Sequence, residues 1–168
     1  MHGVILLAAG SGSRMDNKTD DKILVNIGKS NAFRMCLHAF SELQEISSIV
    51  VVFRDLRQKE KLQDETEQAK SLIKTEIFFV QGGEEREDSV RNGLETLPET
   101  CEFAHIHDCA RPLIRKNTVA NMIQETGKNN PVAVARPATN TIRKRISGLN
   151  LLRTETLPRT LLLSLIHI

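Results

Sequence analysis

Val4-Ile5-Leu6-Leu7-Ala8-Ala9-Gly10-Ser11-Gly12-Ser13-Arg14-Met15, with Lys22 a short way on, is the stretch whose reading decides the fold. A β-rich apolar run that stops at two glycines reads as a buried strand feeding a tight loop, because glycine reaches backbone angles and close approaches that other residues cannot. Backbone N–H groups in such a loop can face an anion. Small side chains at Ser11 and Ser13 leave room for a triphosphate, and Arg14 and Lys22 supply positive charge for its oxygens. A strand-to-helix turn with two surface cations is the plainer alternative. It does not explain why loop glycines, small residues and cations occur together after one strand.

Working outward, strand-like runs recur at residues 4–8, 49–53, 76–80, 104–107 and 132–135, with amphipathic stretches between them. Residues 31–44 place Phe33, Cys36, Leu37, Phe40 and Leu43 at helical spacing, whereas residues 55–73 form a heavily charged helix with a thin apolar stripe, a solvated outer helix. Val90, Leu94 and Leu97 form the apolar face of a helix over 87–97, and Val119, Met122 and Ile123 that of the next; both stripes are expected in the core. This alternation predicts an α/β protein with an open, helix-flanked parallel sheet and ligands at the C-terminal edge of its strands. Residues 136–159 differ in character: a polar run, a Ser147-Gly148 turn and a second polar run resemble a β-arm, too short to be stable without another surface to lie on. A partner subunit is the obvious candidate.

With 168 residues, 40% hydrophobic and 26% charged, the chain suits one soluble domain with a real core. Its 23 basic and 21 acidic residues are well mixed, so no global field argues for nucleic acid or a membrane surface and any anion site must be local. Cys36, Cys101 and Cys109 are odd in number and widely spaced, which fits a reducing compartment better than zinc or a disulfide framework. No leader-like segment opens the chain and no apolar run approaches the ~20 residues needed to span a bilayer. A cytoplasmic location is expected.

Two further motifs follow predicted strands. Gly82-Gly83-Glu84-Glu85-Arg86-Glu87-Asp88-Ser89 is either a base-recognition loop, whose glycine backbone and Ser89 hydroxyl reach a nucleobase edge, or simply a glycine turn with an acidic helix start. His107-Asp108-Cys109-Ala110-Arg111-Pro112 puts a carboxylate at the sheet edge. Beside a nucleoside triphosphate, Asp108 is placed to hold Mg²⁺ and Arg111 an anionic second substrate; alternatively Asp108 pairs locally with Arg111. His105 and His107 alternate on one strand at a spacing a metal could use, but with no third ligand evident neither is assigned a catalytic role.

Together these residues resemble the cytidylyltransferase family that makes 4-diphosphocytidyl-2-C-methyl-D-erythritol, over roughly residues 4–159. The segment from Leu7 to Met15 with Lys22 is similar to the nucleotidyltransferase signature, shared with many sugar-phosphate nucleotidyltransferases. Residues 82–89 resemble the family's base-reading loop, 107–112 its Asp-Ala-Ala-Arg-Pro element, and Thr139-Asn140-Thr141-Ile142-Arg143 its Asp-Thr-Ile-Lys element. The resemblance implies a Rossmann-like three-layer α/β nucleotidyltransferase fold, with a mostly parallel twisted sheet and a protruding β-arm exchanged across a homodimer. It would make residues 1–160 one domain with the arm at about 136–159. It would put Ala8, Ala9, Gly10, Ser11, Gly12 and Arg14 on CTP, with Arg14 and Lys22 catalytic. Gly82, Glu84 and Ser89 would sit near cytosine, Asp108 at Mg²⁺, and Asp108, Arg111, Thr141 and Arg159 near the polyol phosphate.

Several positions depart from the family pattern. Asp21 precedes Lys22 where a proline is usual, Cys109 stands where alanine is usual, and Asn140 replaces an aspartate. After Arg159 the pattern continues with a tryptophan, a Thr-Pro-Gln motif and a further substrate-binding lysine, whereas this chain runs Thr160-Leu-Leu-Leu-Ser-Leu-Ile-His-Ile168. Residues 161–168 are therefore expected to be a non-native or truncated tail, with weak CTP·Mg²⁺ binding and poor turnover as the consequence. Alternatives within reach are a cytidylyltransferase for another polyol phosphate, such as ribitol 5-phosphate, and a non-catalytic nucleotide-binding protein. A dinucleotide-binding module is disfavoured by the missing third glycine and strand-end acid, and a P-loop by the missing Gly-Lys-Ser/Thr.

Overall fold

The computed structural model describes residues 1–10, 21–128, 131–146, 153–158 and 163–165. Ser11, Gly12, Ser13, Arg14, Met15, the Ser147-Gly148 turn and Arg159 lie outside these. The chain divides into two compact units, Met1–Asn130 and Pro131–His167.

In chain order the first unit contains β1 (His2–Leu7), a 3₁₀ turn (Lys22–Leu24), β2 (Asn26–Ile27), β3 (Ser30–Asn31), α1 (Ala32–Ser41), β4 (Ile46–Phe53), α2 (Leu56–Ala69), β5 (Glu76–Gln81), α3 (Arg86–Thr96), β6 (Phe103–Asp108) and α4 (Lys116–Thr126). Four strands form a parallel sheet in the order β5-β4-β1-β6. The helices follow from handedness. The chain steps from β1 to β4 to β5 in one direction, so right-handed crossovers put α1 and α2 on the same face; the return step to β6 runs the other way and puts α3 on the opposite face. Val4, Leu6, Ile49 and Val51 meet Phe33, Cys36, Leu37 and Phe40 of α1, Leu62 of α2 and Val119 and Ile123 of α4 in one buried cluster. The chain thus adopts the three-layer α/β arrangement its sequence predicts.

Local chemistry starts the helices where expected. Asn31 caps α1 by accepting the Arg34 N–H at 2.9 Å, and Asp55 caps α2 by accepting the Gln58 N–H at 2.8 Å. On α2 only Gln58 and Leu62 are buried, which matches the solvated outer helix read from its charge. Two expectations need correction. The stripe Val90, Leu94, Leu97 is not the buried face of α3: Leu94 is 46% exposed, and the helix instead buries Ser89 and Gly93. A Cβ at position 93 would stand 2.6 Å from Ile5 Cγ2, so glycine lets the helix backbone settle directly on β1 and turns Leu94 outward, while Leu97, just past the helix, packs over Gly3. The second correction concerns the expected strand at 132–135. The ladder begins only at Ala135, in β7 (Ala135–Pro137), because among the described residues the pairing partner β10 (Leu163–Leu165) meets these three residues. Apolar content marks a tendency to bury; it does not supply a partner strand.

The second unit also contains β8 (Arg143–Ile146) and β9 (Arg153–Thr156), an antiparallel pair in which Arg143 faces Thr156 and Ile146 faces Arg153. The Leu157 N–H extends the pairing to the Ile142 carbonyl at 2.9 Å. This pair lies within the segment read as a β-arm.

At the far end of the sheet His2 Nδ1 and His105 Nε2 approach to 2.9 Å, and the His2 ring also stacks on Phe103. Only one proton fits between the two nitrogens. Burial, and then the nearby His2, push the His105 value down to about 4. An unfolded histidine titrates near 6.5, so as pH falls the unfolded chain takes up this proton first. The stability held by neutral His105 is complete above about pH 6.5 and drains away towards pH 4, by roughly 3 kcal/mol over the whole window. Denaturant titrations at pH 7.5, 6 and 5 should show this loss, and His105→Asn should flatten the slope.

Candidate active site

Parallel pairing places the C-terminal ends of all four strands on one edge. Leu7 is level with Val52 and Asp108, and Phe53 with Gln81. Because strand order reverses between β1 and β6, the crevice outside their ends is the switch point at which open α/β sheets take ligands. Backbone bonds carry the chain just past that edge: Ala8 N–H to Val52 O at 2.9 Å, Gly82 N–H to Phe53 O at 2.8 Å and Cys109 N–H to Leu7 O at 3.1 Å. Ala8 is buried, Ala9 half-buried and Gly10 exposed, so the predicted phosphate loop leaves the core between Ala8 and Gly10.

The glycine motif packs against this exit. A Cβ at position 82 would lie 2.7 Å from Ser89 Oγ and 3.0 Å from Ala9 Cβ, and glycine alone lets the three segments meet. The buried Ser89 hydroxyl accepts the Gly83 N–H at 3.2 Å, and the Asp88 carboxylate accepts the Glu85 N–H at 3.2 Å, where acidic groups also complement the start of α3. Ala9, Gly82 and Ser89, expected in the nucleotide site from two separate motifs, are thereby brought together. Glu84 is exposed on the same loop.

Asp108 ends β6 beside Leu7. One carboxylate oxygen lies 3.1 Å from an Arg86 guanidinium nitrogen and the other 3.1 Å from Arg111 Nε. The local Asp108–Arg111 pair read as an alternative is therefore present, joined by Arg86, which sequence reasoning passed over. Its signal was available, since Arg86 is the one cation within the 82–89 motif. Arg111 is further fixed by its N–H on the Asp108 carbonyl at 2.9 Å and by His107 Nε2, 3.0 Å from the Arg111 carbonyl. The His107 ring also meets Phe40 edge-on, centroids 5.1 Å apart, so His107 shapes the turn. Beneath it Cys36 and Cys109 are wholly buried; the Cys36 contact and burial push the Cys109 thiol well above its ordinary value.

A carboxylate offers about four lone-pair directions, of which the two guanidinium groups take two. Asp108 is partly exposed, and Mg²⁺ characteristically takes one or two protein carboxylates together with substrate phosphates and water. The donor set thus fits a substrate-borne Mg²⁺, and it would not fit a cation held by protein alone. Lys22 opens the 3₁₀ turn and is half-exposed, directly after a buried Asp21. Thr141 is exposed in the second unit. A cavity of about 520 Å³ also opens between α1, the end of α2 and Pro112–Lys116, but none of its lining residues belongs to the predicted site.

The family model described as 2-C-methyl-D-erythritol 4-phosphate cytidylyltransferase (IspD) matches residues 2–164, nearly the whole chain. The chain belongs to this family. Among curated proteins of that name, the one from Caldanaerobacter subterraneus subsp. tengcongensis is 31% identical over 145 residues, which is 83% of this chain and 60% of that protein. The one from Alkaliphilus metalliredigens is 34% identical over 141 residues, 84% of this chain and 57% of that protein. The chain thus spans about three-fifths of the length of these relatives. Among solved structures, the 4-diphosphocytidyl-2C-methyl-D-erythritol synthase of Anaerococcus prevotii superposes with a TM-score of 0.80 at 23% identity, covering 98% of this chain and 67% of that one. That likeness shows the shared cytidylyltransferase fold.

Proposed function

We propose that the chain transfers CMP from CTP to 2-C-methyl-D-erythritol 4-phosphate, giving 4-diphosphocytidyl-2-C-methyl-D-erythritol and pyrophosphate. The observation that carries this reading is the meeting, at the β1/β6 switch point of an IspD-family chain, of the loop exit Ala9-Gly10, the Gly82/Ser89 contact and the Asp108 carboxylate flanked by two arginines. In this reading Gly82, Glu84 and Ser89 take the cytosine, and the 10–14 backbone with Arg14 takes the phosphates. Asp108 would hold Mg²⁺, which supplies charge neutralisation across the triphosphate.

The acceptor phosphate is already largely ionised at pH 7, since its second pKa is about 6, so no general base is needed. What the chain must supply is alignment and positive charge. Arg111, fixed through its own backbone, holds the acceptor phosphate, with Thr141 and Arg159 from the arm of a partner subunit. Lys22 and Arg14 offset the charge that builds at the α-phosphorus as pyrophosphate leaves in line. A homodimer built through the arm gives the short polar β8–β9 pair the second surface it needs. The reading places the protein in the cytoplasm; among the described residues no helix is long and apolar enough to cross a membrane.

The direct test is pyrophosphate release by the purified chain with CTP and Mg²⁺. Release equal to product formed is expected with methylerythritol phosphate and not with ribitol 5-phosphate. Equal rates with both acceptors would make this a polyol-phosphate cytidylyltransferase of another specificity, and CTP binding without release would leave a nucleotide-binding protein.

A further inference from the structure

Gln58 is 1% exposed on a helix that otherwise turns mostly to solvent. Its amide makes three bonds: Nε2 donates to the Ala8 carbonyl at 3.1 Å and to Asp21 Oδ1 at 2.7 Å, and Oε1 accepts the Arg54 N–H at 2.6 Å. Turning the amide over would set its oxygen against a carbonyl and a carboxylate, so its partners fix its orientation. The second oxygen of Asp21 lies 3.4 Å from the Arg54 guanidinium, whose Nε bonds Asp55 at 2.8 Å. A buried amide is costly unless bonded, and a position that merely filled space would carry an apolar residue, as Leu62 does one turn on. The two points this amide joins are the last buried residue of the β1 exit and the residue directly before Lys22.

We propose that Gln58 is a positioning residue for nucleotide binding: by tying Asp21 to the end of β1, it fixes where Lys22 stands relative to the triphosphate. The inference rests on the role given to Lys22 in the function proposed above. It also accounts for an aspartate preceding Lys22, because a carboxylate at position 21 is what the Gln58 amide and Arg54 grip.

The test is the affinity for CTP in the presence of Mg²⁺, measured calorimetrically on the parent chain, Lys22→Ala, Gln58→Glu and the double variant. Gln58→Glu keeps the shape and the acceptor for the Arg54 N–H but sets a second carboxylate against Asp21. The charged groups around it are Asp21, Arg54 and Asp55, and two carboxylates this close share a proton, raising one of their pKa values. At pH 8 each single variant should bind CTP about tenfold more weakly, and the double variant no more weakly than either, since both changes remove the same contact. At pH 6, protonation restores a donor to Asp21, so the ratio of Gln58→Glu to parent should recover while that of Lys22→Ala should not. Asp21→Ala, which leaves Gln58 bonded to Ala8 and Arg54, should repeat the loss and its non-additivity if Gln58→Glu does not fold. Losses that multiply in the double variant, or a ratio unmoved by pH, would overturn the inference alone. A parent chain that binds no CTP would overturn the proposed function and this inference with it.

Discussion

Asp108→Asn should slow CMP transfer by about 10²–10³-fold, by analogy with the loss of one preorganised oxyanion-hole donor in other enzymes. Asparagine preserves size and one carbonyl oxygen, so one of the two arginine contacts at 3.1 Å is kept while the amide NH₂ faces the other guanidinium, donor against donor. What disappears is the negative charge beside Leu7 at the switch point. If that charge served only to anchor two arginines, its loss would free both guanidinium groups for the triphosphate and CTP would bind more tightly without Mg²⁺. If it holds the substrate's Mg²⁺, the rate falls and saturation by the metal shifts to higher concentration. Pyrophosphate release measured across a Mg²⁺ titration separates the two, and an unchanged metal dependence would remove Asp108 from the metal site.

Lys22→Met is expected to reduce kcat by a similar 10²–10³-fold, beyond the roughly tenfold weaker CTP binding expected on loss of this cation, while leaving folding stability within about 0.5 kcal/mol, because a half-exposed stem is retained and only the charge is lost. The split between constants carries the information. An ammonium that acts mainly as charge develops at the α-phosphorus lowers kcat more than it raises KM, whereas one that binds ground-state CTP equally well raises KM alone. Steady-state kinetics with CTP varied distinguishes them, and a pure KM effect would reduce Lys22 to a binding cation.

Much of this organisation is legible in the residues themselves. The β1 run, the α1 stripe through Phe33, Phe40 and their neighbours, and the charged character of α2 follow from local pattern alone, because β1 is a continuous apolar run, as a strand covered on both faces must be, and each of the two helices has one consistent apolar face. The motifs at 82–89 and 107–112 mark the strand ends because glycine, an acid and proline each impose a local geometry. What was not legible depends on contact across the chain. Gly93 decides which face of α3 meets β1, and no pattern within α3 reveals that Ile5 lies beneath it. Arg86 and Asp108 are 22 residues apart and meet only because β5 and β6 end on the same edge. Gln58 reads as one more polar residue on an outer helix until Ala8 and Asp21 are seen to converge on it.

The structure of this chain with CTP and Mg²⁺ bound tests the central claim most directly. The expected result is cytosine against Gly82 and Ser89, the triphosphate at the exit from β1, and the metal on Asp108 with its arginine pairs rearranged. Nucleotide bound elsewhere, with the Arg86–Asp108–Arg111 pairs intact, would contradict it.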